Sequence, residues 1–70
     1  KEGMYMEEVL YDKYNRRVGI IKQENGNLAI YDAYNRRLGF YDGKYTYDHY
    51  NRRLGAGNLL VWFVKDSLKI

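Results

Sequence analysis

A nine-residue phrase that occurs three times constrains this chain more than any other feature. It reads YDKYNRRVG at 11–19, YDAYNRRLG at 31–39 and YDHYNRRLG at 47–55, and only its third and eighth positions vary. The three copies contain all six arginines and six of the nine tyrosines of the 70-residue chain. Repetition this close in so short a chain predicts a serial array of one small unit, within a single domain at 1–70.

The unit has the sequence of a β-hairpin with a three-residue loop. Each copy places an Asp where its carboxylate can accept backbone N–H groups, and an Asn three residues later, where a left-handed conformation is tolerated. This order is typical of a type I turn followed by a left-handed residue, between flanks of strand-forming residues. In the resulting register, Tyr31 faces Arg37 and Ile30 faces Leu38.

The sequence also predicts the turns that link one repeat to the next. Asn25-Gly26 and Asp42-Gly43 carry the signals of tight hairpins. We expect the second of these to be a three-residue loop ending on Gly43. A two-residue loop there would move Tyr47 among the aliphatic residues, because a slip of one residue exchanges the two faces of a strand.

The predicted fold is all-β: an antiparallel meander of six or seven strands, either a twisted single sheet or a partly open barrel. Gly57-Asn58 is expected to lead into a last strand at 59–64. One face should then be aliphatic, with Leu10, Val18, Ile20, Leu28, Ile30, Leu38, Phe40, Leu54 and Val61. The other face should carry Tyr11, Arg17, Gly19, Tyr31, Arg37, Gly39, Tyr45, Tyr47, Arg53, Gly55 and Trp62. Tyrosine rings on that second face are expected to cover the motif glycines, Tyr31 covering Gly19 and Tyr45 covering Gly39 and Gly55.

The composition argues against several function classes. The chain has no cysteine, so it has no thiolate metal site, and its one histidine, His49, cannot form a metal site alone. No apolar run approaches the length of a membrane span, so membrane insertion is not expected. The chain opens at Lys1, which is compatible with a removed leader, and a secreted or cell-surface location is favoured.

The repeated aspartates do not suggest catalysis. Each one stands at a turn opposite an arginine, and that setting keeps a carboxylate ionised rather than ready to donate a proton. The sequence has no phosphate-binding glycine loop and no nucleophile motif. We therefore expect a protein that is not an enzyme and uses no cofactor.

The segment YTYDHYNRRLG at 45–55 resembles the YD repeats of the RHS and teneurin class, whose units read roughly Y-x-Y-D-x-x-G-R-L. The resemblance covers the three motif copies, under half of the chain. It implies hairpins lying side by side in long sheets that serve as structural shells, without catalytic residues. This chain has Asn15, Asn35 and Asn51 where the class has glycine, and it has a second arginine in each copy. Three copies are too few to enclose a shell, so the resemblance implies the architecture and a Tyr-rich surface.

These features favour a structural or protein-interaction module. The first arginine of each copy is expected to pair with the turn Asp, and the second to stack on tyrosine. The exposed sheet edges and apolar face predict self-association as a homodimer, or binding to another protein. The candidate binding residues are Tyr31, Arg37, Tyr47, Arg53 and Trp62.

Two alternatives use the same residues differently. A ladder of tyrosines with one tryptophan could bind glycans at a cell surface. Arginines interleaved with tyrosines could bind single-stranded nucleic acid, although the small net charge of +3 does not favour this partner.

Overall fold

The computed structural model describes residues 7–68, which form one antiparallel sheet and a C-terminal helical segment. The strands lie in the sheet in the same order as in the chain, and β1 and β6 form its two edges. The predicted all-β meander is therefore confirmed as a six-stranded open sheet. Its strands are β1 (Glu7–Tyr11), β2 (Arg17–Glu24), β3 (Asn27–Asp32), β4 (Arg37–Tyr41), β5 (Tyr45–Asp48) and β6 (Arg53–Ala56).

All three motif copies form the predicted hairpin loop, with the same geometry. In the second copy the Asp32 carbonyl accepts the Asn35 N–H at 3.0 Å, and the Asp32 N–H donates to the Arg36 carbonyl at 2.9 Å. Asn35 has φ 67°, and Asn15 and Asn51 both have φ 65°. The turn residues thus act locally, because each copy adopts the same conformation wherever it lies in the sheet.

The register beyond each loop differs from the prediction. Tyr31 pairs with Arg37 as expected, but Ile30 then pairs with Gly39 and not with Leu38. Leu38 is the extra residue of a β-bulge, in which two residues of one strand oppose one residue of its partner. The bulge leaves both Leu38 and Gly39 on the side of Ile30, where Leu38 packs against the core.

The first and third copies have the same irregularity, at Val18 and Leu54. Beyond each bulge the two faces of the strand are exchanged relative to the predicted register. The motif glycines therefore lie on the core face, whereas Ile20 and Phe40 lie on the opposite face. The predicted division into an aliphatic face and a Tyr/Arg/Gly face is wrong on these points.

One linking turn matches its prediction. Asn25 and Gly26 form a two-residue loop between Glu24 and Asn27, and both loop residues have positive φ, 47° and 86°. This is the pattern of a type I′ turn, which needs a left-handed conformation at both central positions.

The other linking turn, after Asp42, differs from its prediction. Tyr41 pairs with Thr46, so the two central residues are Gly43 and Lys44, and the expected three-residue loop ending on Gly43 is wrong. The Asp42 carboxylate accepts the N–H groups of the two residues after Gly43, each at 2.8 Å. These bonds stabilise the turn one residue further along the chain than the Asp-Gly signal suggests.

The expected last strand at 59–64 is also wrong. Leu60–Val64 is a 3₁₀ helix, followed by a single α-helical turn at Lys65–Leu68. We call these two elements the C-terminal helical segment. Its two buried side chains, Leu60 and Val64, are four residues apart, as expected for a helix that buries one face.

Thr46 explains why the chain leaves the sheet after β6. Its hydroxyl donates to the Gly57 carbonyl at 2.7 Å and accepts the Leu59 N–H at 2.9 Å. Thr46 is completely buried, and it occupies the position that Ile30 has in the second copy. The Asn58 side chain then accepts the Leu60 N–H at 3.1 Å. These contacts fix a bend where another strand would otherwise begin.

The core lies between the sheet and the C-terminal helical segment. Leu60 and Val64 pack against residues of the first three strands, namely Leu10, Ile21 and Ile30. Phe63 crosses Gly39, where an added Cβ would lie 2.5 Å from the phenyl Cζ and would also overlap the Tyr47 carbonyl oxygen. Phe63 therefore covers Gly39, and the expected covering of this glycine by tyrosine is wrong.

Candidate binding surfaces

Four of the five predicted binding residues share one surface. Tyr31, Arg37, Tyr47 and Arg53 lie on the sheet face that is turned away from the C-terminal helical segment. Trp62 belongs to that segment, on the opposite side of the sheet, and its side chain is 62% exposed. We call the first surface the open face; it carries Tyr31, Arg37, Phe40, Tyr45, Tyr47 and Arg53.

Aromatic rings and arginines stack on one another across the open face. The rings of Phe40 and Tyr47 are 4.9 Å apart and nearly parallel, at 15°. The Arg37 guanidinium lies 5.1 Å from the Phe40 ring, and that of Arg53 lies 4.7 Å from the Tyr45 ring. The predicted stacking of the second arginine on tyrosine therefore holds for Arg53, whereas Arg37 stacks on Phe40.

The predicted register puts Phe40 in the core because it lacks the bulge at Leu38. A Leu-Gly or Val-Gly pair follows the arginines in every copy. That pair was the available signal, because glycine often marks a bulge in a strand.

Glu24 connects two of the predicted residues. Its carboxylate accepts a hydrogen bond from the Tyr31 hydroxyl, and its other oxygen accepts the Arg37 Nε–H at 3.3 Å. The hydrogen bond to Glu24 raises the pKa of Tyr31, and partial burial adds to this effect. Tyr31 is therefore a neutral phenol that is already bound to a neighbour on the open face.

Tyr47 is also protonated in the neutral pH range. Burial, followed by the charge of the Asp42 carboxylate, raises the pKa of Tyr47 above its ordinary value. Glu24 places negative charge beside Arg37, and Asp42 places it beside Tyr47, so the open face carries both signs of charge.

The repeated aspartates are engaged inside their own loops, as predicted. In the first copy the Asp12 carboxylate accepts the backbone N–H groups of Tyr14 and Arg16, at 2.8 and 2.9 Å, and the Arg16 Nε–H at 2.9 Å. The other two copies repeat these contacts. The backbone hydrogen bond from Arg16 and the contacts with its guanidinium hold the pKa of Asp12 below its ordinary value.

Burial acts against this effect in all three copies, and in the other two copies it is the largest single influence. Desolvation raises the pKa of Asp32 and Asp48, but hydrogen bonds from Arg36 and Arg52, respectively, outweigh it, and the pKa of both carboxyls is lowered. Each aspartate is thus an ionised acceptor that closes a turn.

The tip of each loop presents a tyrosine and an arginine to solvent. Tyr14, Tyr34 and Tyr50 are 66%, 80% and 67% exposed. The first arginine of each copy lies over the ring of its own loop tyrosine, at 4.9–5.3 Å from the centroid. We call this set the tip row; its members are Tyr14, Arg16, Tyr34, Arg36, Tyr50 and Arg52. Sequence reasoning did not assign these tyrosines to a surface.

A small apolar cleft lies beside the third copy. Leu54, Leu59, Trp62 and Phe63 line about 240 Å³ of space. Leu54 is 51% exposed, although Leu38, its counterpart in the second copy, packs against the core. The C-terminal helical segment thus covers the second repeat and leaves part of the third uncovered.

Residues 7–68 hold neither a metal cluster nor a membrane-spanning helix. Among them, no three His, Cys, Asp or Glu side chains come together in a way that could hold a metal ion. None of the helices in this part of the chain has the length and apolar character needed to cross a membrane.

Comparison with protein-family models, curated proteins and solved structures finds no match for this chain. A function for the protein therefore has to be inferred from the arrangement of its own residues.

Proposed function

We propose that the protein is a non-catalytic module of hairpin repeats that acts by binding protein through its open face. The observation that carries this proposal is the stacked cluster of Arg37, Phe40, Tyr47, Arg53 and Tyr45 on a sheet face that no other described element covers. Tyrosine and arginine are the residue types enriched among those that contribute most to protein–protein binding.

The rest of each repeat supports a structural role. Every motif Asp and first arginine takes part in the contacts of its own loop. Each carboxylate has a lowered pKa, which suits a turn acceptor better than a general acid. The resemblance to YD repeats implies the same arrangement, in which the hairpins form the framework and the tyrosines form the surface.

A second copy of the chain is the partner that we propose first. The open face carries Arg37 and Arg53 together with the carboxylates of Glu24 and Asp42. In a two-fold symmetric dimer the same patch meets itself, so each arginine can approach a carboxylate of the other copy. The glycan alternative is less well supported, because Trp62 lies on the opposite side of the sheet from the tyrosines.

The test is the solution mass measured by sedimentation equilibrium over a dilution series. We expect a reversible dimer, and Arg53→Ala or Tyr47→Ala should weaken it by tenfold or more. Tyr34→Ala is the matched control, since it removes an exposed tyrosine outside the open face and should leave the dimer intact.

Circular dichroism would verify that each variant is folded. A wild-type protein that stays monomeric at millimolar concentration would reject self-association. Weakening by Tyr34→Ala equal to that by Tyr47→Ala would show that the open face is not the contact surface.

A further inference from the structure

The tip row suggests a second, more specific binding surface. We propose that it binds a proline-rich segment with regularly spaced acidic residues, in the polyproline II conformation. This inference rests on the proposed function in one respect, that the ligand is a protein segment, but it uses a different surface.

The topology places the three tips on one edge of the sheet. The motif loops join β1 to β2, β3 to β4 and β5 to β6, and in an antiparallel meander these connections all lie at the same end. Successive tips are therefore two strands apart. Neighbouring strands are about 4.8 Å apart, so the tips repeat about every 9.6 Å.

This spacing fits one extended backbone conformation better than others. A polyproline II helix has three residues per turn and rises about 3.1 Å per residue, so every third residue returns to the same side after about 9.3 Å. In a β-strand, residues on one side recur after about 6.7 Å or 13 Å. A ligand with a three-residue period can thus present the same group to each tip in turn.

The tyrosines of the tip row are exposed beyond what folding needs. Asp, Asn and the first arginine make the contacts that close each loop, whereas the tyrosine rings remain at least 66% exposed. The neighbouring third position is equally peripheral and has diverged to Lys13, Ala33 and His49. An exposed tyrosine that is identical in all three loops, next to a position that varies, points to a shared contact. Aromatic side chains are the usual docking surface for polyproline II segments.

The charges of the tip row select acidic residues in the ligand. Each first arginine contacts its Asp through Nε, yet its side chain remains 71–73% exposed. The terminal nitrogens of the guanidinium are therefore accessible to a carboxylate of a ligand. Each motif copy contains two arginines and one aspartate, and the first copy also contains Lys13, so every repeat carries a net charge of at least +1. One acidic residue per turn of ligand would match it.

Clefts beside the tips provide room for the proline rings. A cleft of about 300 Å³ extends from Tyr34 and Arg36 to Phe63, with Val18 and Leu38 also in its wall. Another, of about 480 Å³, lies beside Tyr14 and Arg16. The first two tips thus border recesses, and the one beside Tyr34 has apolar walls, which suit a proline-rich chain better than a flat surface would. The recess beside Tyr14 is lined mainly by charged and polar residues, with Val18 as its aliphatic residue.

The experiment is fluorescence anisotropy with a labelled peptide of four Pro-Pro-Glu triplets. We expect the triplet peptide to bind, and each of Tyr14→Ala, Tyr34→Ala and Tyr50→Ala to weaken it about tenfold. The triple variant should abolish detectable binding. Because all three rings are largely exposed, these variants should remain folded.

Three competitors test whether binding depends on the three-residue spacing of the glutamates, on negative charge alone, or on the ligand being a peptide. They are a peptide with the same composition but all four glutamates at one end, a twelve-residue polyglutamate, and a twelve-residue oligothymidylate. Weaker binding of all three than of the triplet peptide supports the proposal. Equal or tighter binding of any one of them, or no binding of the triplet peptide, overturns it.

The two surfaces can be tested independently. Tyr47→Ala should disrupt the dimer and leave peptide binding unchanged, whereas the triple tip variant should do the reverse. Loss of peptide binding in Tyr47→Ala, with the fold intact, would count against the tip row as the site. A wild-type protein that binds the triplet peptide but stays monomeric would reject only the self-association proposed for the open face.

Discussion

The second and third repeats have nearly the same sequence but different surroundings. Both close their loops with an ionised Asp and a left-handed Asn, at distances that differ by no more than 0.1 Å. Leu38 of the second copy packs against the core, whereas its counterpart Leu54 is 51% exposed. The loop is thus determined by its own residues, whereas the burial of the bulge residue depends on where the C-terminal helical segment lies.

Substitution of the motif glycines should give the largest difference in stability loss between the second and third repeats. In Gly39→Ala the new methyl group would meet the Phe63 ring and the backbone of Tyr47, and we expect a loss of about 3 kcal/mol. In Gly55→Ala it would meet only the end of the Leu59 side chain, at 3.1 Å, and the change should stay within about 0.5 kcal/mol. Urea denaturation measures both. Equal losses of stability would mean that Phe63 of the C-terminal helical segment does not pack closely against Gly39.

Thr46 provides the second test, because it replaces an aliphatic residue of the other copies. Thr46→Val keeps the shape but leaves the Gly57 carbonyl and the Leu59 N–H without this partner, at a cost of about 2 kcal/mol. Ile30→Val, at the equivalent position, should cost about 1 kcal/mol. Hydrogen exchange should show faster exchange of the Leu59 amide in Thr46→Val. Unchanged exchange would disprove the role of the hydroxyl in holding the bend.

Truncation of the bulge residues should lower stability less than the glycine and Thr46 substitutions do. Leu38→Ala removes a partly buried side chain from the core and should lower the free energy of unfolding by about 1.5 kcal/mol. Leu54→Ala removes an exposed one, and we expect less than about 0.5 kcal/mol. Thermal unfolding of the two variants side by side provides the comparison. A larger loss for Leu54→Ala would indicate that the apolar cleft of the third copy is covered in solution.

Lowering the pH should change the difference in stability between the second and third repeats least of all, because it protonates the aspartates of all three loops alike. The pKa values of Asp12, Asp32 and Asp48 are lowered in the folded protein, so their stabilising contribution is complete above the ordinary value of about 4. It is lost as the pH falls through the folded pKa values. We expect the melting temperature to change little from pH 7 to 5 and to drop below pH 4.

Asp32→Asn and Asp48→Asn should each reduce that acid-induced drop, and by similar amounts. Melting curves at each pH would measure it. A drop that is unaffected by both substitutions would place the acid sensitivity outside the motif loops.

The features that sequence reasoning missed are of two kinds. The bulge recurs at Val18, Leu38 and Leu54, so it belongs to the repeat, and the Leu-Gly or Val-Gly pair was its local signal. The approach of Phe63 to Gly39 joins residues 24 positions apart in the chain, and no local pattern indicates it. Leu60, Phe63 and Val64 have helical spacing, and this was the one local signal for the C-terminal helical segment. A short apolar run fits a strand as well, and only the buried bonds of Thr46 decide between the two.

The repeat unit and the order of the strands follow from local sequence, because the Asp, Asn and Arg of each copy close a hairpin loop through bonds that span no more than four residues. Each loop also fixes the pair nearest to it, Tyr31 with Arg37 and Tyr47 with Arg53. That the predicted register puts both pairs on one face results from two errors that cancel, because the missed bulge at Leu38 and the misplaced loop after Asp42 each exchange the two faces. Tertiary packing sets two further features, the departure of Trp62 from that face and the choice of which repeat is covered. Local bonds repeat when a motif repeats, but one helical segment is long enough to cover only part of a six-stranded sheet.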